Sequence, residues 1–168
     1  EEISAKTIDD IDDNALTDFY NSAIHYGRLE LPVYDKRKLL SVLDLCDGEH
    51  LKNAGMALFG KDAKIGLKLA TYATDDKVTF TDLKLIHGNI YNLVNSALKY
   101  VLENIKWRVA IGSRKREEIP EIPERALREI IVNSFAHADY ESIPEIEIGI
   151  HPGLIEIYNP GTFPDELT

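Results

Sequence analysis

A chain of 168 residues with 44% hydrophobic content is long enough for one domain or two small ones, and at that size it buries roughly 70% of its unfolded surface. The formal net charge of −10 argues against the segment as a whole gripping a phosphate backbone, because nucleic-acid-binding domains usually carry a basic face. The single cysteine, Cys46, excludes an internal disulfide and any multi-cysteine metal site; no apolar run nears the ~20 residues of a membrane helix and the start Glu1-Glu2-Ile3 is no signal peptide, so a cytoplasmic protein with no membrane partner is expected.

The acidic stretch Ile8 to Asp13 reads as a linker, with Asp13 or Asn14 as cap for a helix carrying Leu16, Phe19, Tyr20, Ala23 and Ile24 up to Gly27. Asp35 caps a second short helix through Leu39, Leu40, Val42 and Leu43, closed by the turn Asp47-Gly48. These helices and the apolar, glycine-bounded segment Leu51 to Gly60 set residues 1–60 apart as a helical linker region that admits a winged-helix-like arrangement. Ile65 to Ala73 and Val78 to Leu85 read as strands. The longest helix is capped by Asn89 and repeats Ile90, Leu93, Val94, Ala97, Leu98, Val101, Leu102 and Ile105 at helical spacing. Trp107 to Ile111 reads as a short strand leading into a charged loop, after which Pro120 and Pro123 enforce an extended lead into a further helix. Two alternating segments, Glu145 to Ile150 and Leu154 to Tyr158, joined by His151-Pro152-Gly153, form a hairpin. The expected fold class is α+β, with helices packed on a mixed or antiparallel sheet and residues 61–168 as the second domain. Basic clusters at Lys36-Arg37-Lys38 and Arg114-Lys115-Arg116 read as solvated surface.

One helix carries the candidate chemistry. Glu129, Asn133 and His137 are spaced by four, which stacks a carboxylate, an amide and an imidazole on one face. The opposite face is oily, with Leu127, Ile130, Ile131, Ser134, Phe135 and Ala138, so the stripe is expected to face a cleft floored by the last two strands. An amide oxygen is a neutral hard ligand suited to Mg²⁺, and a carboxylate one turn earlier can reach a metal-bound water or the nucleophile. His137 also has a plainer role as the residue that closes the helix, where the dipole favours its cation. His25, His50, His87 and His151 show no ligand spacing with one another.

The combination of Glu129-x-x-x-Asn133-Ser134 on a helix with a later hairpin ending in Asn159-Pro160-Gly161 resembles the first half of the ATP-binding α/β sandwich of gyrase B, MutL and histidine kinases. More closely, Glu117 to Pro120, Ala126 to Glu129, Val132 to Ser134, Ala136 to Tyr140 and Ile157 to Gly161 are similar to the RecG-related helicase or transcriptional-regulator family, whose members carry an N-terminal Schlafen AlbA-type domain. Leu51 to Lys61 resembles that family's segment after the AlbA-type domain.

The resemblance implies ATP and Mg²⁺ as cofactors: Asn133 holding the metal, Glu129 activating water, and Asn159 and Gly161, with His137 nearby, in the turn that contacts adenine. It also implies DNA as a partner through regions outside this chain, and leaves self-association open. The chain departs from the pattern at Asn159, where the wider fold uses aspartate, and at Ala138, where the family usually has arginine. There is no Gly-rich loop with Lys-Ser/Thr and hence no helicase motor in the segment. Lacking an initiator Met and stopping just after a turn, the chain is expected to be a piece of a longer protein and not ATP-competent alone. The competing expectation is a non-enzymatic oligomerisation or interaction module of a DNA-binding transcription regulator.

Overall fold

The computed structural model describes residues 2–75, 77–111, 116–140 and 145–161. Within them the chain is α+β and divides into two compact units: Glu1–Ile65 with Gly88–Asn92, and Gly66–His87 with Leu93–Thr168. The residues between Tyr140 and Glu145, the closing Pro164 to Thr168, and Arg114 and Lys115 of the second basic cluster lie outside the described residues.

The first unit opens with a strand, β1 (Ile3–Thr7), and a single 3₁₀ turn at Ile8–Asp10, where the sequence reads as a linker. The reason is burial: Ile8 and Ile11 are core residues, and two apolar side chains among acids are too few to show a period. Helix α1 (Asp13–His25) is capped one residue earlier than Asp13, the first of the two expected caps, because the Asp12 carboxylate accepts from the Asn14 and Ala15 N–H groups at 3.1 and 3.2 Å. Asp35 caps α2 (Lys36–Val42) as its sequence predicts, accepting from the Lys38 N–H at 2.9 Å. Two short strands, β2 (Cys46–Asp47) and β3 (His50–Lys52), turn at Gly48 and pair antiparallel, and β3 also pairs antiparallel with β1. The apolar segment that follows is helix α3 (Asn53–Phe59). It docks so closely that a Cβ on Gly55 would lie 2.6 Å from the Leu45 carbonyl oxygen. Leu16, Leu39, Leu40, Leu45, Leu51 and Phe59 fill the core, and the buried Tyr20 hydroxyl donates to the Leu31 carbonyl at 2.8 Å.

The second unit is built on a four-stranded mixed sheet in the order β5-β4-β8-β9, from β4 (Ile65–Tyr72), β5 (Phe80–Gly88), β8 (Glu145–Ile150) and β9 (Ile155–Tyr158). Between them in the chain come helix α4 (Ile90–Asn104), the antiparallel pair β6 (Trp107–Ile111) and β7 (Arg116–Pro120), and helix α5 (Glu124–Ala136). Strands β4 and β8 run parallel, with Leu67 opposite Ile146 and Leu69 opposite Ile148. Strand β9 returns antiparallel to β8, and the His151 N–H donates to the Leu154 carbonyl at 2.8 Å to close the expected hairpin.

Alternation settles which face is inward. Ile146, Ile148 and Ile150 are buried, while Glu145, Glu147 and Gly149 between them are half-buried. Leu67, Leu69 and Thr71 share the inward face, and the Thr71 and Tyr100 hydroxyls, 2.9 Å apart, place α4 against it. Asn89 caps α4 through the Asn92 N–H at 3.0 Å. Strand β6 lies at Trp107–Ile111, as its sequence reads, and β7 occupies what reads as the charged loop after it; Glu117 and Glu118 hide the strand period, and Pro120 is tolerated because it ends the ladder.

Candidate functional site

Helix α5 begins after Pro123, which supplies no side-chain cap, and Glu124 places a negative charge on the positive end of the helix. Its buried residues are Leu127, Ile131, Ser134 and Phe135. At about 100° per residue, Glu129 points almost opposite the middle of that buried face, and Asn133 lies about 40° from Glu129. Both side chains are exposed, a turn apart.

Three expectations for this helix change. The stripe has two helical members rather than three, because α5 ends at Ala136 and His137 is the residue beyond it, with φ −107° and ψ 10°. Its N–H still donates to the Asn133 carbonyl at 3.1 Å, so His137 closes the helix, and its ring is exposed. Ile130, expected on the buried back, is 52% exposed, and Val132 is 43% exposed. Glu129 and Asn133 therefore look outward from the core, and not onto a floor made by β8 and β9; the inward isoleucines of β8, Ile146, Ile148 and Ile150, are already buried.

The structure does bring the second half of the motif to the first. The Asn159 amide donates to the His137 carbonyl at 3.3 Å, and the Asp139 N–H donates to the Pro160 carbonyl at 2.8 Å. Gly161 follows with φ +143°, a conformation that suits glycine; a Cβ there would stand 3.4 Å from the His137 carbonyl oxygen. The turn 159–161 is thus fastened to the C-terminal end of α5. Because the Asn159 N–H group is spent on that carbonyl, the oxygen of the same amide is the atom that keeps acceptor capacity.

Tyr140 locks the same corner. Its hydroxyl donates to the Phe135 carbonyl, and burial raises the phenol from 10.0 to about 12. Ser134 is spent on the Ile131 carbonyl at 2.8 Å and is buried, so it is a packing residue. Among the described residues no group of three or more His, Cys, Asp or Glu side chains forms a metal site, and no helix is long and apolar enough to cross a membrane.

A polar patch absent from the sequence reading lies on the outward face of the β4–β8–β9 sheet. His151 is buried, with its ring stacked on Tyr72 at a 4.4 Å centroid distance and its Nε2 3.2 Å from a Glu156 oxygen. The Lys77 ammonium beside Glu156 holds that carboxyl below its ordinary value, and Lys77 is itself raised by the pair; Glu147 raises Lys68 across the same strands at 3.0 Å. These ion pairs are largely solvated and contribute little stability. No spacing rule finds the ion pairs, because Lys68 with Glu147 and Lys77 with Glu156 each join residues 79 positions apart.

No protein-family model matches the chain, and no curated protein matches it in sequence. Among solved structures it is similar to the DIP2311 protein of Corynebacterium diphtheriae, with a TM-score of 0.81 at 18% identity. The match covers 97% of this chain and 33% of that one, so the chain spans about a third of the length of that protein. At that identity the likeness shows the α+β fold alone.

Proposed function

We propose that the chain is part of an ATP-binding transcriptional regulator or DNA-dependent ATPase of the RecG-related family, with α5 and the turn 159–161 as the nucleotide-facing elements. The observation that carries this reading is the fastening of Asn159-Pro160-Gly161 to the end of the helix that bears Glu129 and Asn133. Two short motifs that are 26 residues apart at Asn133 and Asn159 become parts of one corner.

The donor set fits Mg²⁺, which keeps several waters and takes few protein ligands: an exposed amide and an exposed carboxylate a turn apart supply one neutral and one anionic oxygen. Asn133 would hold the metal and Glu129 would orient or deprotonate water; bound Mg²⁺ neutralises phosphate charge as it develops. The Asn159 oxygen, held in place by its own N–H, would accept from an amino group of the base. DNA contact belongs to other parts of the protein, given the charge of −10 here. A cytoplasmic location agrees with the single cysteine, Cys46, being a free thiol.

The test is calorimetric titration of Mg²⁺·ATP into this chain and into a longer form of the protein. Binding by the longer form that is lost in Asn133→Ala supports the reading, and no binding by the longer wild-type protein removes it. A second reading, a non-enzymatic interaction module, is favoured by Ile130 and Val132, which are exposed on α5 on either side of that polar pair. It predicts that Ile130→Asp and Val132→Asp abolish partner capture, with Asn133→Ala harmless.

A further inference from the structure

Strand β5 ends the four-stranded sheet, and among the described residues no strand pairs with its outer side. Natural edges are usually blunted by shortness, proline, bulges or several charges. This one has nine residues and no proline, and Leu83 and Leu85 are 46% and 61% exposed. Its two charges, Asp82 and Lys84, flank Leu83 on the α4 side of the sheet. Their side chains lie 4.0 Å apart, and the Lys84 ammonium sits 5.0 Å from the centre of the Tyr100 ring.

The order of side chains along β5 is self-complementary. In an antiparallel pair, residues directly opposite must lie on the same face, so a two-fold axis through the sheet has to pass through a residue and not between two residues. An axis at Asp82 sets two carboxylates against each other, and one at Lys84 sets two ammonium groups against each other. An axis at Leu83 puts Asp82 opposite the second copy's Lys84 on one face, and Leu83 opposite Leu83 with Thr81 opposite Leu85 on the other. Opposite-charge and apolar cross-strand pairs each stabilise a sheet by roughly 0.2–1 kcal/mol, and like charges destabilise it.

We propose that the chain pairs with a second copy of itself through β5, antiparallel and centred on Leu83, joining two four-stranded sheets into one of eight. The surface belongs to a different strand from the α5 corner, so its fate is independent of nucleotide binding. The paired stretch is short, placing the interface at the small end of biological contacts, and a concentration-dependent dimer is expected.

Sedimentation equilibrium of this chain should show a monomer–dimer equilibrium. Asp82→Lys and Lys84→Asp should each abolish the dimer, because each sets two like charges face to face, and the double exchange should restore it. Asp82 also touches the Tyr100 hydroxyl, so circular dichroism of each single variant verifies the fold. On a Cys46→Ser background, Leu83→Cys should oxidise to a covalent dimer. A chain that stays monomeric at every concentration, or a dimer indifferent to both single exchanges and inert to the cysteine test, overturns the proposal.

Discussion

Helices α4 and α5 belong to the same kind of layer and treat their surfaces differently. Helix α4 buries six residues, Leu93, Val94, Ala97, Leu98, Tyr100 and Val101, and is fixed at its start by the Asn89 side chain. Helix α5 buries four, has no side-chain cap at its start, and is held at its far end by the turn 159–161 and Tyr140. Burying less leaves α5 a polar and apolar outer surface that the fold itself does not use. In helix α4 sequence is mostly spent on packing; in α5 half of it remains for something else.

The contrast breaks first at the buried anchors. Phe135→Ala on α5 should cost about 3–5 kcal/mol and Leu93→Ala on α4 about 2–5 kcal/mol in denaturant titrations, because both side chains are fully enclosed. A Phe135 loss near zero would mean that α5 rests on the core without being part of it. Next comes the fastening. Gly161→Ala forces a side chain into φ +143° and should lose about 1–3 kcal/mol, as seen by thermal unfolding, with hydrogen exchange rising at the end of α5 and not at α4. At the other helix, Asn89→Ala should cost about 1 kcal/mol by removing the cap of α4.

Alkali gives a gentler test. With the Tyr140 phenol raised from 10.0 to about 12, the unfolded chain ionises first, so its stabilising contribution is complete below pH 10 and fades as pH climbs toward 12. Phenolate absorbance should show a late component that Tyr140→Phe removes. The smallest effect is the sharpest. Glu129→Gln and Asn133→Ala should change stability by less than about 0.5 kcal/mol, since neither side chain is buried, while Asn133→Ala abolishes Mg²⁺·ATP binding in the longer protein.

The elements that could be read from the chain are those with a long period of their own. Helices α1, α2, α4 and α5, the strand at Ile65 and the β8–β9 hairpin all show it. Strands β1 and β7 do not: β1 pairs with β3, which is distant in sequence, and in β7 acids such as Glu117 and Glu118 mask the alternation. The parallel match of β4 with β8 has no local signature at all. For the candidate site, spacing placed Glu129 and Asn133 on one face, and glycine chemistry marked the turn at Gly161. Spacing could not tell that the helix stops at Ala136, since that depends on Pro160 and Asn159 arriving from the end of the described chain. It also mistook Ile130 for a core residue, because hydrophobicity says what can be buried and not what is covered.

The parallel ladder sets an order of assembly. Lys68 and Glu147, which face each other across it, are separated by 79 positions, whereas β9 finds β8 across a four-residue bend. On a ribosome, β4 emerges with Leu67 and Leu69 bare long before β8 exists, and α4, made soon after, is the first element able to shield them. Helix α4 therefore guards the nascent strand, and the central seam of the sheet is the last to be sewn.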